Sequence, residues 1–260
     1  MSILCATGLA CLLLGQTGCR HASLEPQDLV LETARKAFLS GQYSTAEDTY
    51  QYYLQMYPRG RFRLEAWQRL ADIRQDSRDS PREAALLLET ALLEFASEPS
   101  VTVDLLFRAA QLRMQSKDYG VATAHYEALR SLASLDSQLR LDAYLQLARL
   151  RLLTNDAPGA LAILQECRQS RLQLSEQSFC SFRLAEILLS YDRAQEAEPI
   201  LHDVFDAADT TPALRAQAGF SLGQIYESRK EVDKAREIYK NVLPLHPNSL
   251  VIQNRLDFLK

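Results

Sequence analysis

The chain has 260 residues and a net charge of −4, with 47% hydrophobic and 24% charged residues, ordinary globular composition for one large domain or two small ones. Acidic and basic residues are interspersed, with no block of about five or six like charges. That excludes a solvated charged tail, and also the clustered Lys and Arg that a nucleic-acid backbone or an anionic membrane surface would require. Leu, Ala, Gln, Arg and Glu dominate, nine glycines and nine prolines interrupt them, and alternating runs of Val, Ile and Thr are missing. These residues lose little entropy in a helix, so the expected fold class is all-α.

Residues 1–19, "MSILCATGLACLLLGQTGC", contain no charged residue. The apolar run from Ile3 to Leu14 is shorter than the roughly 20 residues needed to span a bilayer, and has the length of a secretory h-region. Thr17 and Gly18 precede Cys19. The stretch resembles a bacterial lipoprotein signal, which implies that Cys19 becomes the lipidated N-terminus and anchors the protein to a membrane. Arg20 follows the cysteine where inner-membrane lipoproteins often carry Asp, so the resemblance implies the periplasmic side of the outer membrane. The alternative is a buried N-terminal helix in a cytoplasmic protein; Gly8, Gly15 and Gly18 make it a poor helix, and three cysteines make it an odd one. Residues 20–26 read as a linker.

From residue 27 onward one amphipathic pattern recurs. A small residue sits in the first helix of each predicted hairpin: Ala34, Ala71, Ala110, Ala148, Ala185 and Gly223, at spacings of 37, 39, 38, 37 and 38. Twelve residues later, thirteen in the second hairpin, come Ala46, Ala84, Ala122, Ala160, Ala197 and Ala235. Four residues beyond stand Tyr50, Leu88, Tyr126, Leu164, Leu201 and Tyr239, and three further Tyr53, Ala91, Leu129, Cys167, Val204 and Val242. Residues three and four apart share a helix face. Paired alanines let two backbones approach, and the large residue fills the space beside them. The breaks "SGQYS", "DSRDSP", "SKDYG", "TNDAPG", "SYDRAQ" and "SRKEVD" fall between the two helices of each hairpin and suit tight connections. Self-similarity at this period marks a solenoid. After the sixth hairpin, "NSLVIQNRLDFLK" predicts a capping helix over 249–260, started by Asn248 or Ser249, with Leu250, Ile252, Leu256 and Leu259 on its apolar side.

The register resembles the tetratricopeptide repeat. Its Leu-small pair appears as Leu70-Ala71, Leu147-Ala148, Leu184-Ala185 and Leu222-Gly223, and its turn as Gly41, Tyr43, Ala46, Tyr50 and Pro58. The last repeat keeps Tyr226, Ala235, Tyr239 and Pro247. The resemblance covers 27–248 as six repeats, with a period near 38 that requires long helices or linkers. It implies a right-handed α-solenoid whose first helices line a concave face. The groove positions it implies are Leu31, Phe38, Phe107, Met114, Leu145, Leu152, Phe182, Leu189 and Phe220, an apolar stripe that either takes a segment of a protein partner or packs helix on helix. Between them lie Arg35, Asp72, Gln111, Arg149, Glu186 and Gln224. The Lys and Asn ladder of repeats that clamp a C-terminal carboxylate is missing.

No HExxH, GxSxG, GxxxxGK[ST] or GxGxxG occurs, and the four histidines are scattered at 21, 125, 202 and 246. The expectation is a non-enzyme with no cofactor, metal, nucleic-acid or small-molecule substrate. Cys167 and Cys180 flank the turn near Gln173, either as a disulfide permitted by an oxidising periplasm or as two small buried hydrophobes. With a lipid anchor, the repeats and "YPRGRFRLEAWQRLADI" are similar to outer-membrane assembly lipoproteins of the BamD type. Pilotin lipoproteins, which place secretin rings, share the same combination. Both resemblances imply a scaffold within an envelope assembly; the alternative is a soluble cytoplasmic adaptor.

Overall fold

The structure, a computed structural model, describes residues 25–132 and 135–259. The signal segment 1–19 with Cys19, and most of the 20–26 linker, lie outside the described residues. All regular structure among the described residues is helical. Two compact units divide the chain between Arg63 and Leu64.

In the first unit, Pro26 opens α1 (Pro26–Leu39), at a position where a helix leaves its N–H unpaired anyway. Helix α2 (Tyr43–Met56) folds back on it and buries Ala46, Tyr50 and Tyr53 with Leu31, Ala34 and Ala37 of α1. The Tyr53 hydroxyl donates to Gln27 Oε1 at 3.4 Å and accepts from the Phe62 N–H at 3.2 Å. Arg61 grips Asp28 through both carboxylate oxygens, at 2.8 and 2.7 Å, and lies over the Phe62 ring.

The second unit continues the pattern through α3 (Arg63–Asp72), α4 (Pro81–Glu94), α5 (Pro99–Gln115), α6 (Tyr119–Ser131), α7 (Ser137–Leu153), α8 (Ala157–Gln169), α9 (Leu174–Ser190), α10 (Ala194–Asp206), α11 (Pro212–Ser228), α12 (Val232–Val242) and α13 (Ser249–Phe258). From α4 to α13 each helix packs against the next, and α7 also meets α9, as α9 meets α11. The first helices of the third to sixth hairpins are 17 residues long, which accommodates the long period.

Every hairpin turn is closed by one residue in the left-handed region: Gly41, Asp79, Lys117, Asn155, Asp192 and Lys230, with φ between 47° and 70°. The next N–H then reaches back to a carbonyl five residues earlier, as in Asp118 to Arg113 (2.8 Å), Arg193 to Leu188 (2.9 Å) and Glu231 to Tyr226 (2.9 Å). This satisfies carbonyls that a helix end leaves open. In the second hairpin the reach is six residues, Ser80 to Arg74 at 2.9 Å, because Ile73–Ser77 form a π-helical turn at the end of α3. One extra residue is thereby absorbed before α4 begins. The wider loop is the physical reason that Ala71 and Ala84 stand thirteen apart rather than twelve.

All four columns read from the sequence are buried in every hairpin. Gly223 leaves no room for a side chain: a methyl group there would meet the Tyr239 ring at 2.3 Å. Polar ties run between neighbouring hairpins. Arg113 of α5, its side chain 7% exposed, bonds both oxygens of Glu89 on α4 at 2.7 and 2.6 Å and Asp118 at 2.8 Å. His125 of α6 shares Glu89 at 2.8 Å. Burial pushes the Glu89 carboxyl up, but Arg113 and His125 more than reverse it and hold Glu89 below its ordinary value. Between α10 and α11, Glu198 accepts from Arg229 (2.5 Å) and from the Tyr226 hydroxyl (3.0 Å).

At the C-terminal end Ile252 of α13 is fully buried, and Leu256 and Leu259 pack against the core of the last hairpins. Leu250 does not join them. It is 66% exposed, because at the first turn of α13 its side chain falls on the solvent side. Asn248 precedes the helix without a side-chain capping bond. Cys167 near the end of α8 and Cys180 in α9 are joined, their Cα atoms 5.9 Å apart, in a pocket of Leu141, Tyr144 and Leu172.

Candidate binding groove

The stripe expected to line a groove divides by burial. Leu31 and Phe182, 1% and 6% exposed, are core residues and offer no surface to a partner. Leu31 sits inside the α1–α2 hairpin, and Phe182 belongs to the core that runs from α7 to α13. Phe38, Phe107, Met114, Leu145, Leu152, Leu189 and Phe220 are half-buried. Phe38 meets Tyr43 edge-on at 5.7 Å, Phe107 meets Tyr126 at 6.2 Å, and Phe220 lies 6.0 Å from Tyr239 and 5.8 Å from His246. Leu145, Leu152 and Leu189 pack against the core formed by the fourth to sixth hairpins. The stripe therefore works chiefly as helix-to-helix packing, with only its edges in solvent. An apolar side chain at helical spacing looks the same in sequence whether it faces a neighbour or a ligand.

What the first helices expose is polar. Arg35, Gln111, Arg149 and Gln224 are exposed, and Asp72 and Glu186 half-buried. Most of the charged members are engaged. Asp72 holds Arg69 at 3.0 Å and also pairs with Arg108, Glu186 holds Arg183 at 2.6 Å, and Arg35 lies over the Phe62 ring at 5.1 Å.

Between α5, α6 and α7 these side chains border a cavity of about 490 Å³ lined by Gln111, Met114, Gln115, Tyr126, Gln146 and Arg149, among others. Tyr126 is fully buried at its base, and burial pushes its hydroxyl up to about 12, with the Arg149 charge pulling the other way. Gln111 and Arg149 were visible as periodic groove positions. Gln115 and Gln146 were missed, because only the packing of α5 beside α7 brings them to the same cavity. Among the described residues no three His, Cys, Asp or Glu side chains cluster as metal ligands, and no helix is long and apolar enough to cross a membrane.

The tetratricopeptide-repeat profile matches residues 217–249, which take in most of α11, all of α12 and the close contact at Gly223. Residues 217–249 are a tetratricopeptide repeat, and the fold of the chain is that of tetratricopeptide-repeat structures. Solved structures similar to it include BtubC from P. vanneervenii, at 18% identity over 86% of this chain and 95% of that one, with a TM-score of 0.51. A tetratricopeptide repeat protein from Parabacteroides merdae is 14% identical over 90% of this chain and 98% of that one, with a TM-score of 0.46. YrrB, described as a TPR protein with an unusual peptide-binding site, is 18% identical over 73% of this chain and 89% of that one, also at 0.46. At such identities the likeness is one of fold. No curated protein matches the chain in sequence.

Proposed function

We propose that this tetratricopeptide-repeat protein is a non-catalytic scaffold that holds a protein partner of an envelope assembly on its first-helix face, anchored by lipid at Cys19 to the periplasmic side of the outer membrane. A single observation carries the scaffold reading. The paired helices bury their apolar columns in one another, and the face left to solvent carries polar groups and a cavity rather than converging catalytic side chains. The joined Cys167 and Cys180 support an oxidising compartment.

The test has two arms. Mass spectrometry of the protein purified from its native host is expected to show a diacylated or triacylated Cys19 as the N-terminus, and Cys19→Ala to release the protein from membranes; retained Met1 would move the scaffold to the cytoplasm. A photo-crosslinking residue placed at Gln111 or Gln224 is expected to capture an envelope protein that the same residue at Ala128, on the outer side of α6, does not. Capture of a secretin at those positions would favour the pilotin-like form. Equal capture from both faces would refute the groove.

A further inference from the structure

The cavity between α5, α6 and α7 gathers an unpaired charge and several open carboxamides in one place. Neighbouring carboxylates on that face are engaged, Asp72 by Arg69 and Arg108 and Glu186 by Arg183. Arg149 has no ion pair or hydrogen bond among the described residues, and neither do the side chains of Gln111, Gln115 and Gln146. At the base of the cavity the Tyr126 hydroxyl is buried with no hydrogen-bond partner, as is that of Tyr239 at the matching repeat position, but only Tyr126 lies under open donors. Buried polar groups are ordinarily satisfied, so an orphan of this kind beside a cluster of open donors needs an explanation.

The donor and acceptor inventory restricts the occupant. Arg149 only donates, in a planar fork matched to a carboxylate. Each glutamine both donates and accepts, as a peptide main chain does. Arg149 is the sole charged side chain lining the cavity, which suits one monoanionic carboxylate and leaves a phosphate dianion half neutralised. The nearest acidic residue on the same helix with a charge effect here, Asp142, is bonded to Gln138 at 3.4 Å and acts on Tyr126. A chain terminus would satisfy Arg149 but offer main chain on one side only. An internal acidic residue continues in both directions, towards the carboxamides of α5 and towards that of α7.

We propose that this cavity seats the side-chain carboxylate of an internal Asp or Glu in an extended segment of a protein partner, with Arg149 as its counter-charge and Gln111, Gln115 and Gln146 bonding the flanking main chain. This deepens the scaffold reading and rests on the first-helix face being the partner surface.

The experiment selects random linear peptides, displayed with both ends blocked by fusion, against the full chain and in parallel against Arg149→Gln. Arg149 is exposed and unpaired, so the variant is expected to melt like the wild type, which circular dichroism checks. Wild-type selection is expected to enrich an acidic residue at one fixed position. Replacing that residue by its amide should weaken binding about tenfold or more. It should weaken binding to Arg149→Gln no further, as a double-mutant cycle requires for a direct pair. Peptides that compete with groove crosslinking yet show no acidic preference, or that bind both proteins equally, overturn the inference and leave the scaffold reading standing. Binding that demands a free carboxyl terminus in synthetic versions also overturns it. Failure to enrich any peptide that blocks the Gln111 crosslink counts against both.

Discussion

At position 223 a hydrogen in place of a methyl group decides how deeply Tyr239 seats. The other hairpins hold alanine there, opposite Tyr50 and Tyr126 as well as opposite leucines, whereas a Cβ at Gly223 would collide with three atoms of the Tyr239 ring. Gly223→Ala is expected to lower stability by about 1–3 kcal/mol, since overpacking displaces a fully buried ring; urea denaturation measures it. Glu89 gives a second prediction. Its native carboxyl titrates below the ordinary value of 4.5, so the folded chain binds fewer protons than the unfolded one in that window. The stability this supplies is complete above pH 4.5 and is lost as pH falls through the native value. Glu89→Gln removes the charge opposite buried Arg113, leaving Asp118 as its carboxylate partner, and is expected to cost about 2–3 kcal/mol at pH 7. The gap between variant and wild type should narrow below pH 4.5 in a series of denaturation curves. Neither Glu89 nor its partners stood out in the sequence. An acidic residue at helical spacing reads as a solvated face until α5 and α6 pack against it.

For the helices, the small-residue columns made nearly everything legible: spacing alone placed each hairpin, and the thirteenth residue in the second marked a local irregularity. The form it takes, a π-helical turn over Ile73–Ser77, was not legible, because an insertion can equally lengthen a loop. Deleting exposed Asp76 is expected to return that turn to ordinary helix and leave stability within about 1 kcal/mol of wild type. Deleting Lys117 from the third hairpin, already at twelve, turns every later position of α6 by about 100° and should unfold it; thermal melts of the two deletions separate the cases. The bridge between α8 and α9 closes a loop with a sequence separation of 13. Its reduction is expected to remove roughly 2–3 kcal/mol, read as a lower melting temperature with dithiothreitol that Cys167→Ala with Cys180→Ala reproduces. The apolar groove stripe was the expectation that changed most. Phe182 and Leu31 obey the same periodicity as Phe107, and burial by a neighbouring helix is a property of the stack that one helix's pattern does not contain.

Across the second unit, helices touch mainly their neighbours in sequence, so stability is a sum of local interfaces rather than one shared core. Ile252 is the fully buried side chain of α13, and with Leu256 and Leu259 it covers the last hairpin. Ile252→Asp is expected to cost about 3 kcal/mol or more locally. Hydrogen exchange should then show protection lost in α12 and α13 first, while α5 to α9 keep theirs. Equal loss everywhere would contradict nearest-neighbour coupling. The left-handed turn residues carry a last consequence. All six are exposed, and five are not glycine, so the backbone closes each hairpin whichever side chain points outward. The tips are therefore natural handles: a cysteine for a dye, a spin label or a surface tether can be placed at Asp192 or Lys230, outside the lining of the cavity between α5, α6 and α7, and report on a bound partner.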